Sequence, residues 1–466
     1  NPSVDAPPGT NATDIARFND DVANSAVNLD VSATINQLEF ASGAGEYDFT
    51  GERLVISSSS GPDYIVHTAG NTQIFSNEVE LASSGTYRDF NVGSGSTLVF
   101  EQKLIFSPTQ GQIRVRGGGT IEILSGFTSL NIFNISGSGS TLNFRGNGGV
   151  NRLRAENGAR INLFTSHGGD FTLAGNNASI HLRFDGNATG TSGSNTISVA
   201  PTNNNTVTLG ADIGGGGTGT FTRNVRLFQA NVGAPLVTNA TIRFSATAGS
   251  TLNLSGVILD DNAAGGAGSK VEISGAGVVR YSGSSANTSV TPILISDGTL
   301  ELAKDAGVNA IGGGDVTIEE NGALRLAASH QIADATSLVF AGGLFDVGAN
   351  AETLGALAVG ADGGTIDFGG LAGSLTFASL SSIVGTLTID GWSESSSITF
   401  TDGSGWNEET LALVHFTGFG AAQFDTETNR LFASATIPEP SSAALLIGSA
   451  SLFIVSLRRR RLLSAA

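Results

Sequence analysis

The chain is predicted to be all-β, a parallel β-helix (β-solenoid) followed by a single C-terminal hydrophobic helix, and three observations predict this. First, Ser, Thr, Asn and 64 Gly crowd out the helix formers, with Lys present three times and Met never. That profile reads as many short strands separated by turns. Second, five segments repeat the order Gly-x-apolar-x-apolar, starting at Gly298, Gly322, Gly343, Gly364 and Gly385, with spacings of 24, 21, 21 and 21 residues. Third, an uncharged run from Ser441 to Leu457 stands alone at the C-terminal end, just ahead of four arginines.

The first 30 residues, opening "NPSVDAPPGTNATD", read as a flexible polar lead-in, and with no Met at position 1 the chain is expected to lack its own start and export signal. Residues 31–390 read as the solenoid. In one unit, Leu300 and Leu302 share a face while Thr299 and Glu301 share the other, because strand side chains alternate. So short a strand cannot bury its apolar face alone, whereas stacking each turn of chain on the last creates a continuous interior. Glycine opens the corner, where positive φ or close backbone approach is needed. A looser version of the unit recurs upstream at Gly95, Gly119, Gly139, Gly158 and Gly249. At ~21 residues per coil the body predicts ~18 coils and a rod ~85 Å long. Phe340, Phe345 and Phe368 are candidates for interior ring stacks. The short period favours a solenoid over a propeller, whose blades need ~40 residues.

The stretch "GTLELAKDAGVNAIGGGDVTIEENGALRLAASHQIADATSLVFAGGLFDVGANAETLGALAV", residues 298–359, resembles the autotransporter-associated β-strand repeat, and the resemblance is clearest over 298–389. It implies a right-handed β-helix like the passenger domains of bacterial surface proteins. The C-terminal membrane barrel of autotransporters has no counterpart in this sequence, so export by another route is expected.

Residues 391–437 hold both tryptophans, Trp392 and Trp406. They read as a β cap over the last coil, with a glycan-stacking pair as the other reading. The tail, 438–466, opens with Pro438-Glu439-Pro440, which stops a helix from continuing backward. A helix over 441–457 would span ~25 Å, slightly short of a bilayer core. Arg458, Arg459, Arg460 and Arg461 must stay hydrated, which disfavours a buried core helix and would hold the tail's end cytoplasmic with the body outside. Pro-Glu-Pro, apolar helix and basic cluster, in that order, resemble the PEP-CTERM sorting signal of Gram-negative bacteria. The resemblance implies recognition and removal by an exosortase, a membrane protease-transpeptidase, so that the membrane helix exists only before processing. A permanent single-pass anchor is the other reading of these residues.

Net charge is −18, and the body alone is more acidic still, which argues against nucleic-acid partners. The absence of Cys excludes disulfides and thiolate metal sites. No cofactor or metal is read from the chain. The five histidines, His67, His167, His181, His330 and His415, share no ligand spacing. Gly214 to Gly217 lack the Lys-Ser/Thr of a phosphate loop. The adjacent carboxylates Asp260-Asp261 could do acid/base work only across a cleft, and "DDNAAGG" reads as a turn. Arg114, Arg116, Arg145, Arg152, Arg154 and Arg160 form a basic patch, either a ladder for phosphate or acidic glycan or a set of outward residues balancing an acidic rod. The function expected is that of a non-enzymatic, surface-displayed or secreted protein of the bacterial envelope with a structural or adhesive role, in contact with extracellular polysaccharide. The competing expectation is a secreted polysaccharide lyase or glycosidase on the same scaffold.

Overall fold

A computed structural model describes residues 14–434 apart from 22–24, 58–62, 83–86, 108–111, 168–169, 185, 189–195, 229–235 and 261–265. The proposed helix 441–457, Pro438-Glu439-Pro440 and Arg458–Arg461 lie outside the described residues. Among the described residues, no helix is long and apolar enough to cross a membrane.

The chain folds as a parallel β-solenoid of the right-handed type with about 15 turns and almost no helix. Each coil adds one strand to a neighbour from the preceding coil. Along one ladder Leu98, Ile121, Leu142, Ile161, Ile180 and Leu209 lie in register, and Phe100, Ile123, Phe144, Leu163 and Leu182 follow beside them. All of these side chains are buried. Burying each large apolar side chain is worth roughly 1.5–3 kcal/mol, and stacking lets coils that could not fold alone share that gain.

The C-terminal repeats stack as their spacing predicts from Gly298 to Gly364, but the fifth is displaced by two residues, Gly364 pairing with Leu387 and not with Gly385. Gly298 pairs with Gly322, Leu300 with Leu324 and then Phe345, Ile366 and Ile389. Close approach, more than positive φ, explains the repeat glycines. A Cβ on Gly364 would lie 2.4 Å from the Phe340 ring, and one on Gly322 would lie 2.3 Å from the carbonyl oxygen of Ile295.

Three further expectations need correction. Among the described residues the first strand of the coil is Ile15–Phe18, inside the segment read as a lead-in. Ile15–Phe18 pairs with Gln37–Phe40, and Phe18 packs on Phe40 with ring centroids 5.3 Å apart. The segment's polar opening conceals this alternation. The coil count falls below 18 because coil length is not constant: equivalent side chains are 19 residues apart between Asn143 and Asn162 but 35 apart between Asn204 and Asn239. Finally, Phe340 and Phe345 are buried but stack on aliphatic neighbours, Ile318 and Val359 for one, Leu324 and Ile366 for the other. Ring-on-ring stacks run through Phe49, Phe75 and Phe100, each 5.0 Å from the next.

The last coils end differently from the rest. Val414–Phe416 pairs parallel to Leu387–Asp390, but Ala422–Asp425 and Arg430–Ala433 form an antiparallel hairpin whose second strand also runs antiparallel to Ser397–Asp402. Antiparallel pairing occupies the ladder edge that another parallel coil would otherwise continue. A single turn of helix, Glu408–Leu411, precedes the hairpin, with Asn407 and Thr410 forming a reciprocal cap.

Candidate interaction face

Asp260 does not sit in a cleft: it accepts hydrogen bonds from Ser289 Oγ, Val290 N and Thr291 Oγ1, each at 2.8 Å. It staples one coil to the next, and Asp261 lies outside the described residues. Gly214 to Gly217 make the turn between Thr206–Ala211 and the strand that starts at Gly217, with Gly215 and Gly216 at positive φ.

The histidines are dispersed, and among the described residues no three potential ligands gather for a metal. His67 is buried, with Nε2 2.8 Å from the Asn71 carbonyl, and burial lowers its pKa. His167 is buried edge-on between Phe144 and Phe171, and burial, then the Arg223 guanidinium, lower its pKa to about 4. His330 occupies a turn at φ 56° and His415 an exposed strand position. Trp392 and Trp406 are both buried, against Phe368 and Phe416 and against Phe400 and Phe424 respectively. Their rings therefore offer no open platform to a sugar.

The six arginines divide between two faces. Arg114, Arg152 and Arg154 lie on one sheet, where Arg114 and Arg154 line up through Asn134 between them. There three of the charges are paired: Arg114 grips the buried Asp89 with two bonds of 2.6 and 2.7 Å, Arg116 reaches Asp63 at 3.0 Å and also contacts Asp89, and Arg154 contacts Glu156, while Arg152 is exposed.

Arg145 and Arg160 face outward from the other sheet, and that face carries the most organised polar array. Register places Glu122, Asn143, Asn162 and His181 in one column and Thr120, Thr141, Arg160 and Ser179 in the next. A third column holds Arg145, Phe164, Arg183 and Asp212, each of whose backbone N–H groups donates to a carbonyl of the preceding coil at 2.8–2.9 Å. The Asn143 amide donates to Glu122 at 2.8 Å, and the Asn162 amide donates to the Asn143 oxygen at 2.8 Å. The Asn162 oxygen accepts from Arg160 Nε at 2.8 Å and Arg183 Nε at 3.3 Å. Both arginines turn toward one carboxylate, Asp212, at 2.5 Å for Arg183 and 3.7 Å for Arg160. Arg145 lies over the Phe164 ring, 3.6 Å from its centroid, and is 4.0 Å from Glu122.

His181 is held neutral here. Burial first, then Arg160 and Arg183, lower its pKa to about 3 against the opposing pull of Asp212. Its register partner in the next coil is Gly210, where a Cβ would lie 2.6 Å from His181 Nδ1, so glycine leaves room for the imidazole.

Sequence reasoning found Arg145 and Arg160 but missed Phe164, Arg183, Asn143, Asn162 and Asp212. The signal was present as Arg160-Ile-Asn162 and His181-Leu-Arg183, two outward pairs on successive coils in which Asn162 and His181 are register partners. No protein-family model, curated protein sequence or solved structure matches the chain.

Proposed function

We propose that the chain is an exported, non-enzymatic β-solenoid, displayed at the bacterial surface or released from it, with a structural or adhesive role. The observation that supports this most is the commitment of outward charges to bracing one coil against the next. Arg280 meets Glu301 at 2.5 Å, Arg325 reaches Glu301 at 3.7 Å, and Arg325 meets Asp346 at 2.8 Å, a run of alternating sign over four coils. Together with the continuous apolar interior, such bracing suits a stiff extended body that presents side chains at fixed intervals.

Sorting belongs to the same proposal. Pro438-Glu439-Pro440, the uncharged run and Arg458–Arg461 would be read by an exosortase-type membrane protease-transpeptidase, with the body outside and the arginines cytoplasmic until cleavage. Support comes from the order of the three parts in the sequence. Intact-mass analysis of the protein recovered from the cell surface is expected to show loss of everything after about Pro440. Retention of Arg458–Arg461 would reject processing and leave a permanent anchor. Release of new reducing ends from an extracellular polysaccharide by the purified protein would replace the non-enzymatic reading with a lyase or glycosidase.

A further inference from the structure

We infer that the outer face carrying Arg145, Phe164 and Arg183 is a track for an acidic polysaccharide lying along the rod axis. This inference rests on the adhesive reading and names the ligand class that reading leaves open.

Three properties of the face point to such a ligand. The first is local charge. In a chain of net charge −18, Arg145, Arg160 and Arg183 here outnumber Glu122 and Asp212, and two of the arginines share one carboxylate. With His181 uncharged, Asn162 holds Nε of Arg160 and of Arg183, and Asp212 lies 2.5 Å from Arg183 Nη1 and 3.7 Å from Arg160 Nη2, while the Arg145, Arg160 and Arg183 side chains stay 42%, 37% and 28% exposed. The guanidinium edges not taken by Asp212 or Asn162 favour contact with further carboxylates.

The second property is spacing. Arg145 and Arg183 are two coils apart in one column, with Phe164 between them. Successive coils are ~4.8 Å apart, close to the rise of one sugar in an extended chain, so alternate sugars of a polyuronate would meet the two arginines in turn. The third is composition. A flat guanidinium on a phenyl ring supplies an apolar surface edged by hydrogen-bond donors, as a sugar ring with its hydroxyl groups requires, and the asparagine ladder beneath fixes its position. A nucleic-acid duplex carries about one charge per 1.7 Å of axis, against one per sugar in a polyuronate, and so meets far more repulsion from the acidic rod, and an apolar partner would have to desolvate three charges.

The test is calorimetric titration of the folded protein with polygalacturonate, defined galacturonate oligomers and neutral dextran. Polygalacturonate is expected to bind, with affinity falling as salt rises, and dextran is not. Oligomers long enough to bridge Arg145 and Arg183 should bind far better than monomeric galacturonate. R145Q and R183Q should each weaken binding about tenfold, the usual effect of losing one charge-assisted hydrogen bond, and the double variant more. R325Q, on the ladder of alternating charge several coils away, serves as the control and should bind as the parent does. Circular dichroism of each variant separates loss of contact from loss of fold, and F164A gives a second reading that leaves all three charges in place. Equal binding of dextran, no binding of polygalacturonate, or an R145Q/R183Q protein that binds like the parent would each overturn the inference. Cell-surface localisation and adhesion are measured separately. A protein that adheres without binding polygalacturonate sinks this site alone, whereas one found inside the cell sinks the adhesive reading.

Discussion

Acidification should loosen the middle of the rod through His167. Its ring is 1% exposed, packed edge-on against Phe144 at 5.5 Å and Phe171 at 5.6 Å, and neither ring nitrogen has a hydrogen-bond partner among the described residues. The buried Arg223, 2.8 Å from Asp170, adds a positive field. The folded pKa is about 4 against 6.5 for the free side chain, a depressed value. The stability linked to this group is therefore fully present above pH 6.5 and is lost as pH falls toward and through 4. Between pH 7 and pH 4.5 the loss is about 2.5 kcal/mol, roughly sixtyfold in the local opening equilibrium. Coils of a solenoid open semi-independently, so hydrogen exchange resolved over residues 160–182 is a better assay than a global melt. H167F keeps a ring between Phe144 and Phe171 and has nothing to titrate. It should match or exceed the parent at pH 7, because two unpartnered nitrogens disappear, and should lose roughly sixtyfold less protection on acidification. His181 titrates in both proteins, so the difference between them isolates His167. Equal loss of protection in parent and H167F between pH 7 and pH 4.5 would refute the reasoning.

The other predictions concern the C-terminal coils. Glu352 is buried and accepts the backbone N–H groups of Gln331 at 2.7 Å and Thr353 at 3.1 Å, yet burial outweighs these donors and pushes its pKa up to about 7. A raised carboxyl pKa contributes stability that is fully present below the unfolded value of 4.5 and lost as pH rises through 7. The difference in urea midpoint between the parent and E352Q should therefore shrink from pH 5 to pH 8 by an amount worth about 2 kcal/mol, the buried histidines titrating alike in both, with E352Q lower at pH 5 because its amide hydrogens face backbone donors. A difference that stays constant from pH 5 to pH 8 would contradict this. Gly364→Ala places a methyl group 2.4 Å from the Phe340 ring and should cost about 3 kcal/mol or give insoluble protein. Gly307→Ala, with open space around the added methyl but φ at +80°, should cost only about 1 kcal/mol, read by thermal melting of the two variants side by side. Equal melting temperatures would mean that close approach does not explain the repeat glycines.

What the sequence made legible was the part under the strictest repetition. From Gly298 to Ile366 the interior positions recur at almost constant spacing, because coils there have little excess chain, and Leu300, Leu324, Phe345 and Ile366 share one column as that spacing requires, whereas Ile389 takes the place that constant spacing gives to Leu387. Upstream the same physics holds, but turns of varying length carry the chain between strands, so Thr208 pairs with Arg243 across a long excursion that no fixed period predicts. The outer face was harder for a different reason. An inward position tolerates only large apolar side chains and so repeats in kind, whereas an outward position is constrained only by its neighbours above and below. Glu122, Asn143, Asn162 and His181 differ in type although they stand in one column, and only register shows that they touch.

That contrast bears on how the rod could work. A solenoid's interior needs similarity from coil to coil, but its surface can vary one column at a time without disturbing the ladder beneath. Most outward charges use that freedom to pair along the axis, as Arg280, Glu301, Arg325 and Asp346 do. The face around Asn162 departs from this pattern. Two arginines there converge on one asparagine and one carboxylate, a glycine is kept at 210 to seat a neutral imidazole, and a phenyl ring lies outward beneath a guanidinium. Each of these would be simpler, and at least as stable, as one more alternating ion pair, since exposed pairs contribute at most about 1 kcal/mol and hydrophobic burial supplies the rest. An arrangement that stability does not require, set at the coil spacing on a stiff support, is where an extended, repeating ligand would find its contacts in register.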